Sequence, residues 1–590
     1  MSALGTESIA ARLRRFAGDA RGAVAVIGAL SLTTLVGMGA FAVEISRGYA
    51  ADTANQRIAD MAALAGALAY NVNNNTTQMT ATAKAVVAAQ GLPASAATVA
   101  LVTDAATSKQ LVQVSVTTAV PLALGRVFTS ALSYDVTAVG SATTTTTTTT
   151  ASPCIAALSS SPTYGITMSG GTSLSAPGCS VNTNAGITVP WGTYISAKQA
   201  VAGKSVDNPG NGLTTSPTAA NIQQNKVNAA SDWMKDNAAL KAALCQVNKL
   251  TGTSDADYAD NNTACLTPLA TPTTVPNNAK NLNLDYSPSG GLAAFFNSSN
   301  NSYTIPASYI SNVYSGNIAT LNVAGGITAT FQGPVDININ VINMGGTLLR
   351  FGNGNISIAG KIDTNGGATV EFDVGVGNTI TIGQSGGVSI NVNGGTKVCF
   401  TAGCGAPTAA AGKFSVGGDI VSAGGSQIVF PKAATHVING NLSLSGSSTL
   451  GSGLYVIKGN FTNNTGGTMA GTDVTFALGG TFTLSGGTSL DLSAPGAGSS
   501  YGVAGVLMAT KTSSATLIGG GSGNKYAGLL YAPKSDLTLK GGASMSAYGS
   551  NCLMMILNTL SLLEGGSAAT GTCSALSGGS SSAANVALFK

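Results

Sequence analysis

Three groups of side chains have the types and spacing that metal or acid–base chemistry needs. Asp285, Ser287 and Ser289 form a D-x-S-x-S arrangement, and a carboxylate with two hydroxyls can ligate Mg²⁺ through oxygen. Asp255, Asp257 and Asp260 put three carboxylates within a short stretch, which suits Ca²⁺, but without the glycine and terminal glutamate of an EF-hand loop. The acids between 320 and 575 are Asp336, Asp363, Glu371, Asp373, Asp419, Asp473, Asp491, Asp536 and Glu564. Only Glu371 and Asp373 stand at the spacing that puts two carboxylates on one strand face, where a pair can do acid–base work on a glycan. His436 is the single histidine, so no nucleophile–histidine pair has a second site to draw on. Pro288 favours a turn at the first group and a solvated loop accounts for the second. We therefore assign no catalytic, cofactor or metal residue and expect a protein that is not an enzyme.

The eight cysteines fall as sequence neighbours: Cys154 with Cys179, Cys245 with Cys265, Cys399 with Cys404, and Cys552 with Cys573. An even set of this kind fits local disulfides in an oxidising compartment. None of these pairs is a C-x-x-C and the chain has one histidine, so a zinc site is not expected.

The elements that hold these groups begin with a membrane segment. Within residues 12–22, Arg12, Arg14, Arg15 and Arg21 face a single acid, Asp19, and then Ala23 to Val43 carries no charge. As a helix this stretch spans about 31 Å, the thickness of a hydrocarbon core. The basic leader, 1–22, keeps the N-terminus in the cytoplasm by the positive-inside rule. The competing reading is a cleaved signal peptide, because Ala40, Phe41 and Ala42 have the small-x-small form of a cleavage site.

Helical, Ala-rich sequence continues from 44 to about 70 and a second helix is expected over 76–90. Alternating β-branched stretches at 97–102, 111–117 and 134–143 complete a small α+β unit over 44–142. Eight threonines from Thr143 to Thr150 open a solvated linker over 143–153.

Beyond it, glycine pairs recur at Gly325, Gly345, Gly366 and Gly386, and again from Gly424 through Gly446 and Gly466 to Gly486, with Gly–Ser at Gly446. A constant short period of this kind implies stacked rungs, since one rung cannot bury its own apolar face. Short strands with glycine at the corners and Asn, Ser or Thr beside them suit a parallel β-helix. Right-handed winding is the commoner choice for rungs of this length, and a β-sandwich is the alternative. The expected layout is first rungs over 154–205, an insertion over 206–318 with a helix near 219–247, the main β-helix over 319–575 and a tail over 576–590. The fold class is thus mainly β, with a transmembrane helix and a small α+β domain in front. Only 8% of residues are charged and the net charge is +4, which leaves no basic surface for nucleic acid.

Arg15, Phe16, Asp19, Arg21 and Gly22, the apolar span, then Glu44, Arg47 and the run QRIADMAALAGA from Gln56 to Ala67 resemble the N-terminal domain of TadG-like proteins of Flp pilus assembly. Within that run, Gln56, Asp60, Ala63 and Gly66 carry the motif. The family usually has Asp in place of Glu44 and Leu in place of Asn55. Pseudopilins of the same system carry Glu at the fifth position after the cleaved glycine, and if Gly22 were that glycine the position holds Ile27. The resemblance therefore implies an anchor rather than a polymerising pilin. Some members of the family contain von Willebrand A domains with a D-x-S-x-S metal site, but Gly-rich β sequence follows residue 289 where that domain needs alternating helices and strands. The Cys154–Cys179 and Cys552–Cys573 regions, with Leu454 to Gly459 and Tyr531 to Pro533, resemble more weakly the C-terminal regions found with such domains.

What the resemblance implies is a single-pass protein of a bacterial inner membrane. Its expected partners are the lipid bilayer, other Tad/Flp envelope proteins, and extracellular surfaces or glycans. A secreted adhesin with a cleaved signal peptide and a polysaccharide-active β-helix enzyme are the alternatives.

Overall fold

Alternation of apolar and polar residues over short, glycine-punctuated stretches leaves this sequence one economical way to bury its apolar half, which is to stack strand upon like strand. A computed structural model shows this. It describes residues 20–576 apart from 74, 105–109, 124–125, 127–128, 144–152, 217–220, 227, 254, 259–269, 335, 384–385, 465, 488, 521–523 and 548–551. The protein is mainly β, with 45% strand and 20% helix. It divides into an N-terminal unit ending at Thr149 and a solenoid unit beginning at Thr150. The leader over 1–19, most of the threonine linker, Asp260, Cys265 and the tail after 576 lie outside the described residues.

In the N-terminal unit one helix, Ala20–Asn73, runs without interruption through the uncharged stretch and into the α+β domain. Its second half lies on a three-stranded antiparallel sheet, Ala97–Thr103, Gln110–Pro121 and Ser133–Thr143, beside a second helix, Thr76–Ala89. Ala59, Ala62, Ala63 and Ala67 are fully buried against Val112, Val114 and Val116. Small residues let the backbones approach: a Cβ on Gly140 would lie 2.5 Å from the carbonyl carbon of Ala59. Asn75 caps the second helix by accepting from the N–H groups of Thr77 and Gln78.

The solenoid has about 17 turns, each with up to three strands, and its rung-to-rung pairings are parallel. At about 4.8 Å per rung the stack is about 80 Å long. The short rungs carry the glycine period of the sequence, as Thr328 pairs with Leu348, Leu348 with Thr369, Gln427 with Ser447 and Thr468 with Ser489. Between these series Thr369 pairs with Lys397 and Lys397 with Gln427, so two rungs there are longer. The corner partner of Gly366 is consequently Gly394, whose carbonyl accepts from the Gly367 N–H, and not Gly386. Both Gly367 and Gly394 have left-handed backbones, which a side chain resists. Inside the stack Phe331, Phe351, Phe372 and Phe400 form a column of parallel rings with centroids 5.0 to 5.1 Å apart.

The rungs are not stacked in chain order. Leu553–Leu562 pairs on one side with Asn524–Lys540 and on the other with Pro153–Ala157 and Tyr164–Met168. Ser567–Ala569 likewise joins Ser544–Ala547 to the first part of Ser173–Thr183. The rungs that come first in sequence therefore continue the stack beyond the last ones, and they end at Leu213–Thr215 and Ile222–Gln223. The chain then returns along the outside and restarts the stack at Lys280–Leu284.

Two expected boundaries move as a result. Rungs persist past 205 to Gln223 and resume at Lys280 rather than at 319. The expected helix at 219–247 is Ala238–Thr251, opened by Asn237 accepting from the Leu240 N–H and closed by the left-handed Gly252. Its Leu240, Ala243, Leu244 and Val247 pack on Leu454, Val456, Ala477 and Ala509. That cover buries the outer as well as the inner face of Gly453–Ile457, Val474–Leu478 and Val506–Thr510.

Candidate functional site

The first functional feature is the helix itself. From Val24 onward it is long and apolar enough to cross a membrane, with a mean hydropathy of 2.0 and almost none of its apolar segment covered by protein. Val24, Ile27, Leu30, Leu35, Met38 and Phe41 are all exposed. Exposing so much apolar surface to water is costly, which suits the segment to a membrane span or a signal anchor.

Where the helix turns polar, the motif residues bind it to the sheet. Glu44 is buried and its Oε1 accepts from the Ala123 N–H at 2.6 Å, while the Glu44 carbonyl accepts from the Tyr134 hydroxyl at 2.9 Å. Gln56 donates to Asp60 at 2.9 Å and to the Val139 carbonyl at 3.1 Å. Ala63 and Gly66 lie at the packed face, with Val112 close over Gly66. Arg47 points to solvent. Asn55 and Tyr134 complete the joint. Asn55 is buried, donates to Thr118 Oγ1 and the Val136 carbonyl, and accepts from Thr118. In the sequence Asn55 stands out only as a departure from a family pattern; a polar residue in an otherwise alanine-rich helical face is the signal of its role.

The candidate chemical groups do not converge. Asp285 accepts from the Ser287 N–H at 2.9 Å, which makes D-x-S-x-S a turn that the carboxylate itself closes. Asp255 and Asp257 both pair with Lys534, at 3.1 and 2.9 Å, and so tie the returning segment to the solenoid. Those two hydrogen-bonded carboxylates hold the Lys534 ammonium above its ordinary pKa. Beside them Tyr531 donates to Asp232 at 2.8 Å and meets the Tyr258 hydroxyl at 3.2 Å. Burial pushes the Asp232 carboxyl up. This polar cluster lies under the segment 224–258 and acts as its fastening. Glu371 is covered by the turn at 402–404, binding Arg350 Nε at 2.7 Å and the Gly403 N–H at 3.3 Å, whereas Asp373 is exposed beyond the strand end. The two carboxylates thus stand in different surroundings, one covered and ion-paired, the other exposed. Among the described residues no group of three His, Cys, Asp or Glu side chains is placed to hold a metal.

His436 is fully buried in the aromatic column, stacked on Tyr455 with ring centroids 4.0 Å apart. Its Nε2 donates to the Pro431 carbonyl at 2.8 Å, and burial drives its pKa down to about 4. Disulfides join Cys154 to Cys179, Cys399 to Cys404 and Cys552 to Cys573, and Cys245 is also disulfide-bonded.

The outer corners of the solenoid carry amide ladders. Asp419 accepts from Asn441, Asn441 from the Asn460 N–H, and Asn460 from Thr481, each one rung further on. A second ladder runs from Asn283 through Asn322 to Asn343, and a groove of about 520 Å³ opens beside it. No family model, no curated protein and no solved structure matches this chain.

Proposed function

We propose that this protein is a single-pass membrane anchor of the Tad/Flp pilus-assembly or secretion type that presents its β-solenoid to other envelope proteins or to extracellular surfaces. The observation that carries the reading is the joint at Glu44, Gln56, Asp60 and Gly66. There the residues that resemble the TadG-like motif dock an uncharged, uncovered helix onto its own small domain. A span that continues rigidly into a folded domain suits a static anchor. Helix without a break through Ala40, Phe41 and Ala42 supports an uncut N-terminus. Ile27, where a pseudopilin carries glutamate, supports an anchor over a filament subunit. The solenoid supports a contact role through its sparsely charged, hydrogen-bonding surface, and stacked repeats serve as extended binding faces. The inner membrane is the location this reading implies, with residues after 43 on the far side from the cytoplasm.

Deleting residues 154–590 while keeping the anchor and its α+β domain tests the proposal. Loss of surface attachment or of pilus assembly is expected. Unchanged attachment and assembly overturn the contact role.

A further inference from the structure

We propose that the groove beside the Asn283 ladder is a binding site for a neutral oligosaccharide, recognised through a pair of adjacent hydroxyls. The inference rests on the surface-contact reading above and gives that surface a ligand class.

The groove is lined by Asn283, Asp285, Asn322, Asn343, Asp363 and Asn365, all side chains that hydrogen-bond without presenting a fixed positive charge. Strand register places Asn283, Asn322, Asn343, Asp363 and Asn391 in one outward column over five successive rungs. Each amide in such a column can donate to the rung before it and accept from the rung after it. Asn322 does so to Asn283 at 2.8 Å, Asn343 to Asn322 at 2.9 Å, and Asn391 to Asp363 at 3.0 Å. The sequence of donors fails at one step. Asp363 stands where the next amide belongs, and an ionised carboxylate has no proton to give. Lys361 holds it as an ion pair at 2.6 Å.

Asn343 Oδ1 and the Asp363 carboxylate are thus adjacent acceptors, and among the described residues no hydrogen bond joins them. Two acceptors one rung apart can be bridged by two neighbouring donors whose O–H bonds diverge onto them. A vicinal diol supplies them, one O–H to each oxygen, and no charge is needed. Tyr286, next in sequence to the lining residue Asp285, adds a flat apolar surface at the rim of the groove. Its hydroxyl donates to the Gly325 carbonyl at 2.6 Å, which pins the ring over the corner beside Ala324, and half of it remains exposed. Amphipathic rings of this kind accept the apolar face of a ligand while leaving its polar edge free. Asp285 and Asp363 make the groove unfavourable for an acidic chain.

Titration calorimetry on the full chain in detergent tests this, with cellohexaose, xylohexaose and the anionic hexagalacturonate as probes. Saturable binding of at least one neutral probe is expected, with the anionic one weaker. Asp363→Asn supplies the missing donor to Asn343 Oδ1 and closes the ladder, so affinity should fall about tenfold as that acceptor is consumed. The melting temperature should stay level or rise. Tyr286→Phe keeps the ring and should keep binding, whereas Tyr286→Ala should lose it. No saturable binding of either neutral probe, tighter binding of hexagalacturonate, or unchanged affinity in Asp363→Asn overturns the inference. If these titrations fail while deletion of 154–590 still abolishes attachment, the glycan site falls and the contact reading stands.

Discussion

The buried imidazole of His436 should make solenoid stability depend on pH in a way that one substitution abolishes. The ring lies between Tyr455 and Phe414, with Phe430 nearby, and Nε2 donates to the Pro431 carbonyl. Nδ1 is buried with no hydrogen-bond partner among the described residues, so a second proton would place a cation among aromatic rings with no counter-ion. Burial accordingly holds the pKa at about 4, against 6.5 for an ordinary histidine. Above pH 6.5 both folded and unfolded chains carry a neutral ring and the full stability is present. As pH falls from 6.5 towards 4 only the unfolded chain binds the proton, and stability is lost across that window. A difference of this size is worth about 3 kcal/mol, at about 1.4 kcal/mol per pKa unit. Asp232, whose pKa is raised by burial, acts in the opposite direction at the acid end, because its folded form binds the proton more readily. The chain contains no other histidine, so the attribution is direct. Urea unfolding of the full chain in detergent should show a midpoint that falls between about pH 7 and about pH 5. Hydrogen exchange in peptides covering 427–457 should accelerate in parallel. His436→Phe extends the ring column with a group that cannot titrate and should flatten both responses. A slope that survives in His436→Phe, or a wild-type chain with no slope, would refute the reasoning.

Other perturbations test the stack and its joint. Phe351→Ala removes a ring stacked on both sides and should cost about 3–5 kcal/mol, seen as a lower urea midpoint at constant slope. Asn55→Ala strips Thr118 and the Val136 carbonyl of a buried partner and should cost about 1–3 kcal/mol, measured as a loss of thermal stability in the N-terminal unit. Removing 553–576 leaves the edges of Asn524–Lys540 and Pro153–Ala157 unpaired, and unpaired edges invite association. Size-exclusion chromatography should then show aggregates; a monodisperse product at the expected mass would contradict the closure of the stack.

Much of the architecture is legible in the residues, and the parts that are not have identifiable reasons. The short rungs announce themselves through glycine, but two longer rungs between Thr369 and Gln427 shift the phase, and Gly386 then imitates a corner that belongs to Gly394. The junction of Leu553–Leu562 with Pro153–Ala157 leaves no local trace, because parallel pairing between strands so distant in the chain has no turn to signal it. The cover supplied by the returning segment does leave one. Gly453–Ile457, Val474–Leu478 and Val506–Thr510 are unbroken runs with few polar residues, where most other strands alternate, and such runs belong to strands covered on both faces. Chemistry is legible mainly as isolated groups. Asp285 and the pair Glu371 and Asp373 carry plausible spacing, yet one closes its own turn and the other pair is split between a covered and an exposed position. The acceptor pair at Asn343 and Asp363 cannot be found from spacing alone, since the two residues become neighbours only once the rungs are in register.

The central claim is that the apolar helix holds the folded chain in a membrane without being removed. Alkaline carbonate extraction of membranes from cells making the full chain, with N-terminal sequencing of the recovered protein, tests it most directly. A carbonate-resistant protein is expected, its leader still attached to Ala23 through Arg21 and Gly22. A soluble product whose sequence starts after Gly22 or after Ala42 would contradict the claim.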